Sequence, residues 1–412
     1  MKAAVAHLIP APFTQQVARA LDERQALQAF FCTLVDQPET RWQSWSCRLA
    51  SLAGLDLRRN LRRRAVTEVP GERVHSYARR ELLRMVQVRL RNDPVLGDRL
   101  FHWARDGFEA WVARQLEGFD LVYAYEYGSL TLFQRARQLG LRTVYDLPSP
   151  EHDFVEQLLA PEFARFPELV TPYRRHTLAL QVERTERRRQ EWELADLVIA
   201  NSTFTAHSWQ QAGWSPRRIE VVPYGAPPTI ADSGPGPAAK PLRLLWAGTF
   251  SIRKGAHLLI EALQELNLCP AELQIDVYGA QGLPATLLSQ APSTLLFHGS
   301  IPRAELLAAM QQAHALLFPT LCDGFGLVVN EAFSQGLPVI TTARAGAADL
   351  VRPGENGWLI EAGSAHTIAT AISQALDDPT ALNRMRPAAL ATASQWQWSD
   401  YRCRIGELLV GP

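Results

Sequence analysis

Two short stretches hold residue types suited to anions and polyols. The first, AGTFSIRKG (247–255), reads as a strand ending in glycine, a short loop, and then Arg253, Lys254 and Gly255 leading into a helix. The start of a helix favours an anion through its free N–H groups and its dipole. A guanidinium grips phosphate as a two-pronged donor, and an ammonium acts as a mobile point charge. Lys254 departs from local habit, because the chain has only three lysines (Lys2, Lys240, Lys254) and otherwise uses arginine. The competing reading is a pair of ordinary surface cations near a helix start, where positive charge is mildly unfavourable.

The second stretch, FPTLCDGFGLVVNEAFSQGLPVITT (318–342), places Asp323, Gly324, Phe325 and Gly326 after a strand and ahead of a helix carrying Glu331. Two glycines let backbone amides approach an oxyanion closely. Asp323 and Glu331 flank that loop with carboxylates, which accept paired hydrogen bonds from vicinal diols such as sugars and ribose. Taken separately, Asp323 could simply cap the helix and Glu331 pair along it. The whole stretch is far more specific than its parts.

The elements that must position these residues follow from periodicity. From Pro241 onward, LRLLWAG, LQIDVYG, TLLFHG, HALLFPT, PVITTA and GWLIE alternate with HLLIEALQEL, RAELLAAMQQA and HTIATAISQAL, whose apolar residues fall three and four apart. Strands recurring with helices between them describe βαβ units and a buried parallel sheet. The N-terminal half starts the same way, with AAVAHL, a helix through Val17 to Leu21 and LQAFFCTLV, then DLVYAY, RTVYDL and DLVIANS. The expected fold class is therefore α/β, with two Rossmann-like, doubly wound domains. TIADSGPGPAAKP (229–241) has no apolar period and is the hinge candidate. The expected limits are 1–230 and 241–395, with 396–412 a helix that packs back on the first domain.

A chain of 412 residues, 47% apolar and 20% charged, has material for two cores. Zero formal net charge gives no bulk attraction to nucleic acid. The five cysteines are odd in number and scattered, which implies neither a disulfide framework nor a zinc site. The N-terminus lacks a signal-peptide pattern, and no run approaches the roughly 20 apolar residues of a membrane span. A cytoplasmic protein is expected. From Arg58 to Arg91, eleven arginines stand against three glutamates, with Val74, Ala78, Leu82 and Met85 expected on one helical face. Such a basic amphipathic helix suits an anionic membrane or a pyrophosphate-bearing lipid, while the commoner meaning is a solvated surface face.

The chain resembles the retaining glycosyltransferases of family 4, which have the GT-B fold, two Rossmann-like domains facing across a cleft. The resemblance rests on ADLVIANSTFTAHSWQQAG, IEVVPYG, AGTFSIRKGAHLLIEAL, and above all DGFGLVVNEAFSQGLPVITTARAGAADLV followed by ENGWLI. It covers 195–375 firmly and the first 190 residues loosely. By resemblance, Glu331 binds the donor ribose and Asp323 contacts the transferred sugar, one methylene shorter than the family's glutamate. Arg253 and Lys254 grip the donor diphosphate, although Thr249 stands where many members have the arginine. Gly324, Phe325, Gly326 and Leu327 complete the donor site.

The N-terminal domain departs further from the family. HLIPAPFTQQV, with Thr14, replaces a glycine pair, and RTVYDLPSPEHDF offers Tyr145, Asp146 and His152 where members commonly read "HD". His152 is the candidate for orienting the sugar. The resemblance implies transfer from a UDP- or GDP-sugar to a glycan, lipid-linked or small-molecule acceptor with retention of configuration. It leaves open a non-catalytic sugar- or lipid-binding protein, and a phosphorylase or epimerase on the same fold. No P-loop, HExxH helix, GxSxG elbow or Asp-x-Asp metal clamp is present in the sequence, so no cofactor or metal is expected.

Overall fold

The apolar runs form two wholly parallel sheets. The computed structural model describes residues 1–36, 61–62, 64–214, 219–234, 236 and 240–411. In the first sheet the strands are β1 (Ala3–Ala6), β2 (Leu27–Cys32), β3 (Val74–Ser76), β4 (Leu121–Tyr125), β5 (Arg142–Leu147), β6 (Leu197–Ala200) and β7 (Ile219–Val221). They lie in the order β3-β2-β1-β4-β5-β6-β7. The second sheet contains β8 (Leu242–Ala247), β9 (Leu273–Tyr278), β10 (Leu295–Gly299), β11 (Ala315–Phe318), β12 (Val339–Thr342) and β13 (Gly357–Ile360), ordered β10-β9-β8-β11-β12-β13. β1, β4, β11 and β12 are buried along their whole length. Helices covering both faces of a parallel sheet bury its strands in this way.

Strand order reverses between β1 and β4 and again between β8 and β11. Connections leave these neighbours in opposite directions, opening a crevice at their carboxyl ends. The two carboxyl edges face each other. The loops after β5 and β6 meet the loops after β11 and β12, where Ser202 Oγ donates to the Gly324 carbonyl (2.6 Å) and Thr203 Oγ to Asp349 (2.7 Å). The expectation of two doubly wound sheets facing across a cleft is borne out.

Two further elements join the halves. The His152–Arg165 helix contributes Leu159 to the core of the second sheet, and its Glu162 pairs with His257 (2.9 Å). The chain then returns after the Pro379–Gln395 helix, with Ala226 donating to the Trp396 carbonyl (2.9 Å) and Trp398 to the Ala226 carbonyl (3.2 Å). The Trp398–Val410 helix lies along the Pro12–Glu23 helix, through Arg402 to Glu23 and Gln16 and through buried Tyr401, Ile405 and Leu409.

The basic block differs from its expected form. Val74 belongs to β3, paired in parallel with Phe30 of β2, and the helix begins only at Ala78. An isolated helical period could not reveal that Val74–Ser76 adds an edge strand. Arg58, Arg59 and Arg63 lie outside the described residues, as do Cys47, 235 and 237–239 of the hinge candidate, and Pro412.

Candidate functional site

The site is built where β8 and β11 end side by side. After β8 the chain makes a 3-10 turn, Ile252–Lys254, and breaks at Gly255 before the Ala256–Leu266 helix. Gly255 has φ +80°, and a Cβ there would stand 2.2 Å from the Pro319 carbonyl oxygen. Only glycine lets the two loops approach this closely. They are stitched together by the Arg253 carbonyl, which accepts from Leu321 N–H (2.9 Å) and Thr320 Oγ (3.1 Å).

This stitching brings Lys254 and Asp323, distant in sequence, into an ion pair. Lys254 Nζ also lies 4.6 Å from the centroid of the Phe318 ring. Burial and then the adjacent Arg253 guanidinium push the Lys254 ammonium down to about 7. The touching Asp323 carboxylate acts in the opposite direction, favouring the charged ammonium. The Arg253 side chain is exposed at the mouth of the turn.

The glycine loop holds its shape through Asp323. Its Oδ1 accepts from Phe325 N–H (3.2 Å), its own N–H donates to the Arg344 carbonyl (2.9 Å), and its carbonyl accepts from Gly346 (3.1 Å). Gly324 faces the first domain, and a Cβ there would lie 2.5 Å from the Pro148 carbonyl oxygen. Phe325 is buried against Tyr224 (5.2 Å between centroids). Gly326, at φ +85°, leads into the Leu327–Ser334 helix.

Glu331 sits on that helix, apart from Asp323, and receives Arg303 Nε at 2.8 Å. Burial raises the Glu331 carboxyl while Arg303 opposes the rise. With Pro12, Gly225, Leu327 and Trp398, the pair lines a cavity of about 90 Å³ at the seam between the sheets. Sequence reasoning missed Arg303. Its only signal was a cation opening the helix after β10, with nothing to link it to Glu331 about one hundred Å of chain away in extended terms.

The N-terminal candidates are placed differently. Thr14 is buried and donates to the Ala11 carbonyl (2.8 Å), closing the first turn of its helix. Tyr145 donates to Glu191 (2.8 Å), and Asp146 accepts from the Tyr123 hydroxyl. Burial lifts the Asp146 carboxyl to about 7, against the Tyr123 hydrogen bond. These three side chains are engaged inside their own domain. His152 opens its helix close to the Pro148–Ser149 backbone that touches Gly324, and its buried Nδ1 has no hydrogen-bond partner. Burial and then Arg188 lower its pKa. No described group of three or more His, Cys, Asp or Glu residues is arranged to hold a metal ion.

Residues 232–392 match the family model of the glycosyl transferases group 1. Among curated proteins, glycogen synthase of Mycobacterium tuberculosis is 30% identical over 169 residues, 39% of this chain and 41% of that protein. The D-inositol 3-phosphate glycosyltransferase of Corynebacterium aurimucosum is 28% identical over 228 residues, 50% of this chain and 54% of that protein. The chain thus spans about half the length of the curated relatives it matches. Likeness to solved structures extends further. HepE of Anabaena in complex with UDP aligns over all of both chains with TM-score 0.62 at 20% identity. Sucrose-phosphate synthase of Thermosynechococcus elongatus aligns over 99% of this chain and 98% of that one, with TM-score 0.66 at 18% identity. The fold is GT-B.

Proposed function

We propose that the chain transfers a sugar from a UDP- or GDP-sugar, held by the second sheet, to an acceptor held by the first, with retention of configuration. The observation that carries this reading is the meeting of Lys254 and Asp323 at the carboxyl ends of β8 and β11, beside the glycine loop. A nucleoside diphosphate there faces Arg253 and Lys254, and the Glu331 carboxylate is placed for the ribose hydroxyls. Asp323 touches both the cation and the space next to the diphosphate, where the transferred sugar belongs.

The chemistry follows from charge. As the glycosidic bond to the leaving phosphate breaks, that phosphate gains negative charge, and cations already fixed in place stabilise the transition state without reorganising. The same phosphate is positioned to take the acceptor's proton, with no side-chain nucleophile required. Contact between Gly324 and the Pro148–Thr205 region excludes water, which favours transfer over hydrolysis. His152, on the facing edge, is the first-domain group proposed to orient the sugar.

The test is calorimetric. Lys254→Ala should weaken UDP or GDP by about 2–5 kcal/mol, the scale for stripping one partner from a desolvated charged pair. The bare nucleoside should bind nearly as before. An unchanged ratio of diphosphate to nucleoside affinity in folded protein would refute the assignment.

A further inference from the structure

The His152–Arg165 helix starts in one domain and ends in the other. Val155, Leu159 and Phe163 recur four apart, so they share a face, and they pack into the core of the second sheet. Near the start of the helix the partners belong to the first domain. Asp153 accepts from Gln181 (2.5 Å), and Glu156 pairs with Arg174 (2.7 Å). From Asp153 to Glu162 the helix spans about 14 Å, at 1.5 Å per residue.

At the far end, Glu162 Oε2 lies 2.9 Å from His257 Nε2, and both side chains are buried. His257 stands three residues after Lys254, in the first turn of the Ala256–Leu266 helix that continues the chain from Arg253 and Lys254. Phe166 meets the imidazole edge to face, 5.4 Å between centroids, and so restrains its plane.

This end of the helix leans on tertiary contacts. Pro161, one residue ahead of Glu162, has no N–H, so the helical ladder loses its bond to the Gln157 carbonyl. Arg165 reaches Glu261 (2.6 Å), but that pair is exposed and of small weight. Apolar side chains of similar volume would seal the interface at least as firmly as a buried polar pair. What the His257–Glu162 contact adds is direction, because a hydrogen bond is satisfied in one register only.

We propose that His257 is a positioning residue: by holding Glu162 it makes the His152–Arg165 helix a strut of fixed length between the domains, which sets His152 against the turn that carries Lys254. The proposal rests on the transferase reading only for the role of His152.

The informative variant replaces both partners, His257→Leu with Glu162→Met, so that no buried polar group is left alone. His257→Gln is its counterpart, since the amide nitrogen reaches about as far as Nε2 and can still donate to Glu162. Turnover of a UDP- or GDP-sugar by the paired variant should fall about tenfold or more, towards the roughly hundredfold loss of a 1 Å misplacement. Affinity for UDP or GDP should stay within about twofold, the scatter of independent sites. His257→Gln should keep most of the turnover. In a His152→Ala background the paired substitution should lower turnover no further, because the strut acts through His152. Wild-type turnover in the paired variant would overturn the proposal. So would an equal loss in His257→Gln, the same fractional loss with and without His152, or a loss of diphosphate affinity as large as the loss of turnover.

Spin labels read the spacing of the domains whatever the protein transfers. The exposed Cys269, in the second domain, and Cys403, on the helix packed against the first, accept them, with Cys47→Ser in every protein. Wild type and His257→Gln should give one narrow distance distribution, and the paired variant a broad one. Equal widths would overturn the strut. If no UDP- or GDP-sugar turned over while this contrast held, the transferase reading would fail and the strut held by His257 would stand.

Discussion

Lys254 shows how one contact decides the chemistry of a side chain. Burial and Arg253 press its ammonium towards neutrality, to about 7, and the ion pair with Asp323 favours the charged form. Asp323→Asn removes that support. Because only the ammonium attracts a diphosphate, wild-type UDP or GDP binding should decline as pH rises through about 7, and binding to this variant should decline from a lower pH. A diphosphate affinity with the same pH profile in both proteins would count against the pair. Turnover should also fall, since Asp323 is proposed beside the transferred sugar. Glu331→Gln has a different expected signature. It should weaken nucleoside and nucleoside diphosphate alike by about 1–3 kcal/mol, the range for a charged hydrogen bond, because ribose is common to both. Equilibrium titration of the two ligands separates this from the Lys254→Ala outcome.

At the scale of elements, the glycine loop joins the domains as well as preceding a helix. Ser202 caps the Thr203–Gln211 helix by accepting from Thr205 N–H (3.0 Å), and its hydroxyl donates to the Gly324 carbonyl (2.6 Å). One residue thus ends a turn and latches two sheets. Gly324→Ala places a methyl against the Pro148 carbonyl oxygen, 2.5 Å away, so the latch must shift. The expected result is a large loss of turnover with a small change in diphosphate affinity, read by steady-state kinetics beside calorimetry. Equal losses in both would mean that the loop itself had collapsed. The glycines of DGFG were legible as a permissive loop. Their second use, giving room to another domain, depends on residues over one hundred positions earlier and was not.

For the whole molecule, GT-B architecture sets two carboxyl edges face to face, and a core of buried residues runs from β1 and β4 through Tyr224 to β8, β11 and Tyr401. Binding at such an edge needs compensating charge for phosphate, which Arg253 and Lys254 are proposed to supply. Activity is therefore expected to persist in EDTA. Loss of turnover on chelation, restored by magnesium or manganese, would show that the cations are insufficient.

Sequence alone determined the βαβ alternation, the two-sheet class and the stretches AGTFSIRKG and DGFGLVVNEAF, because buried parallel strands and loop glycines write local, short-period patterns. It could not show that Val74 pairs in a sheet, since an edge strand of three residues has no period of its own. The partners of the site residues were likewise invisible. Lys254 with Asp323, Glu331 with Arg303, and Gly324 with Ser202 join positions from 28 to 122 apart. Tyr145 and Asp146 stand where family members commonly read "HD", and their side chains are engaged by Glu191 and Tyr123 in the interior. Local propensity chose which elements form, and only tertiary packing, by matching charge and removing water between distant segments, decided which of their side chains meet.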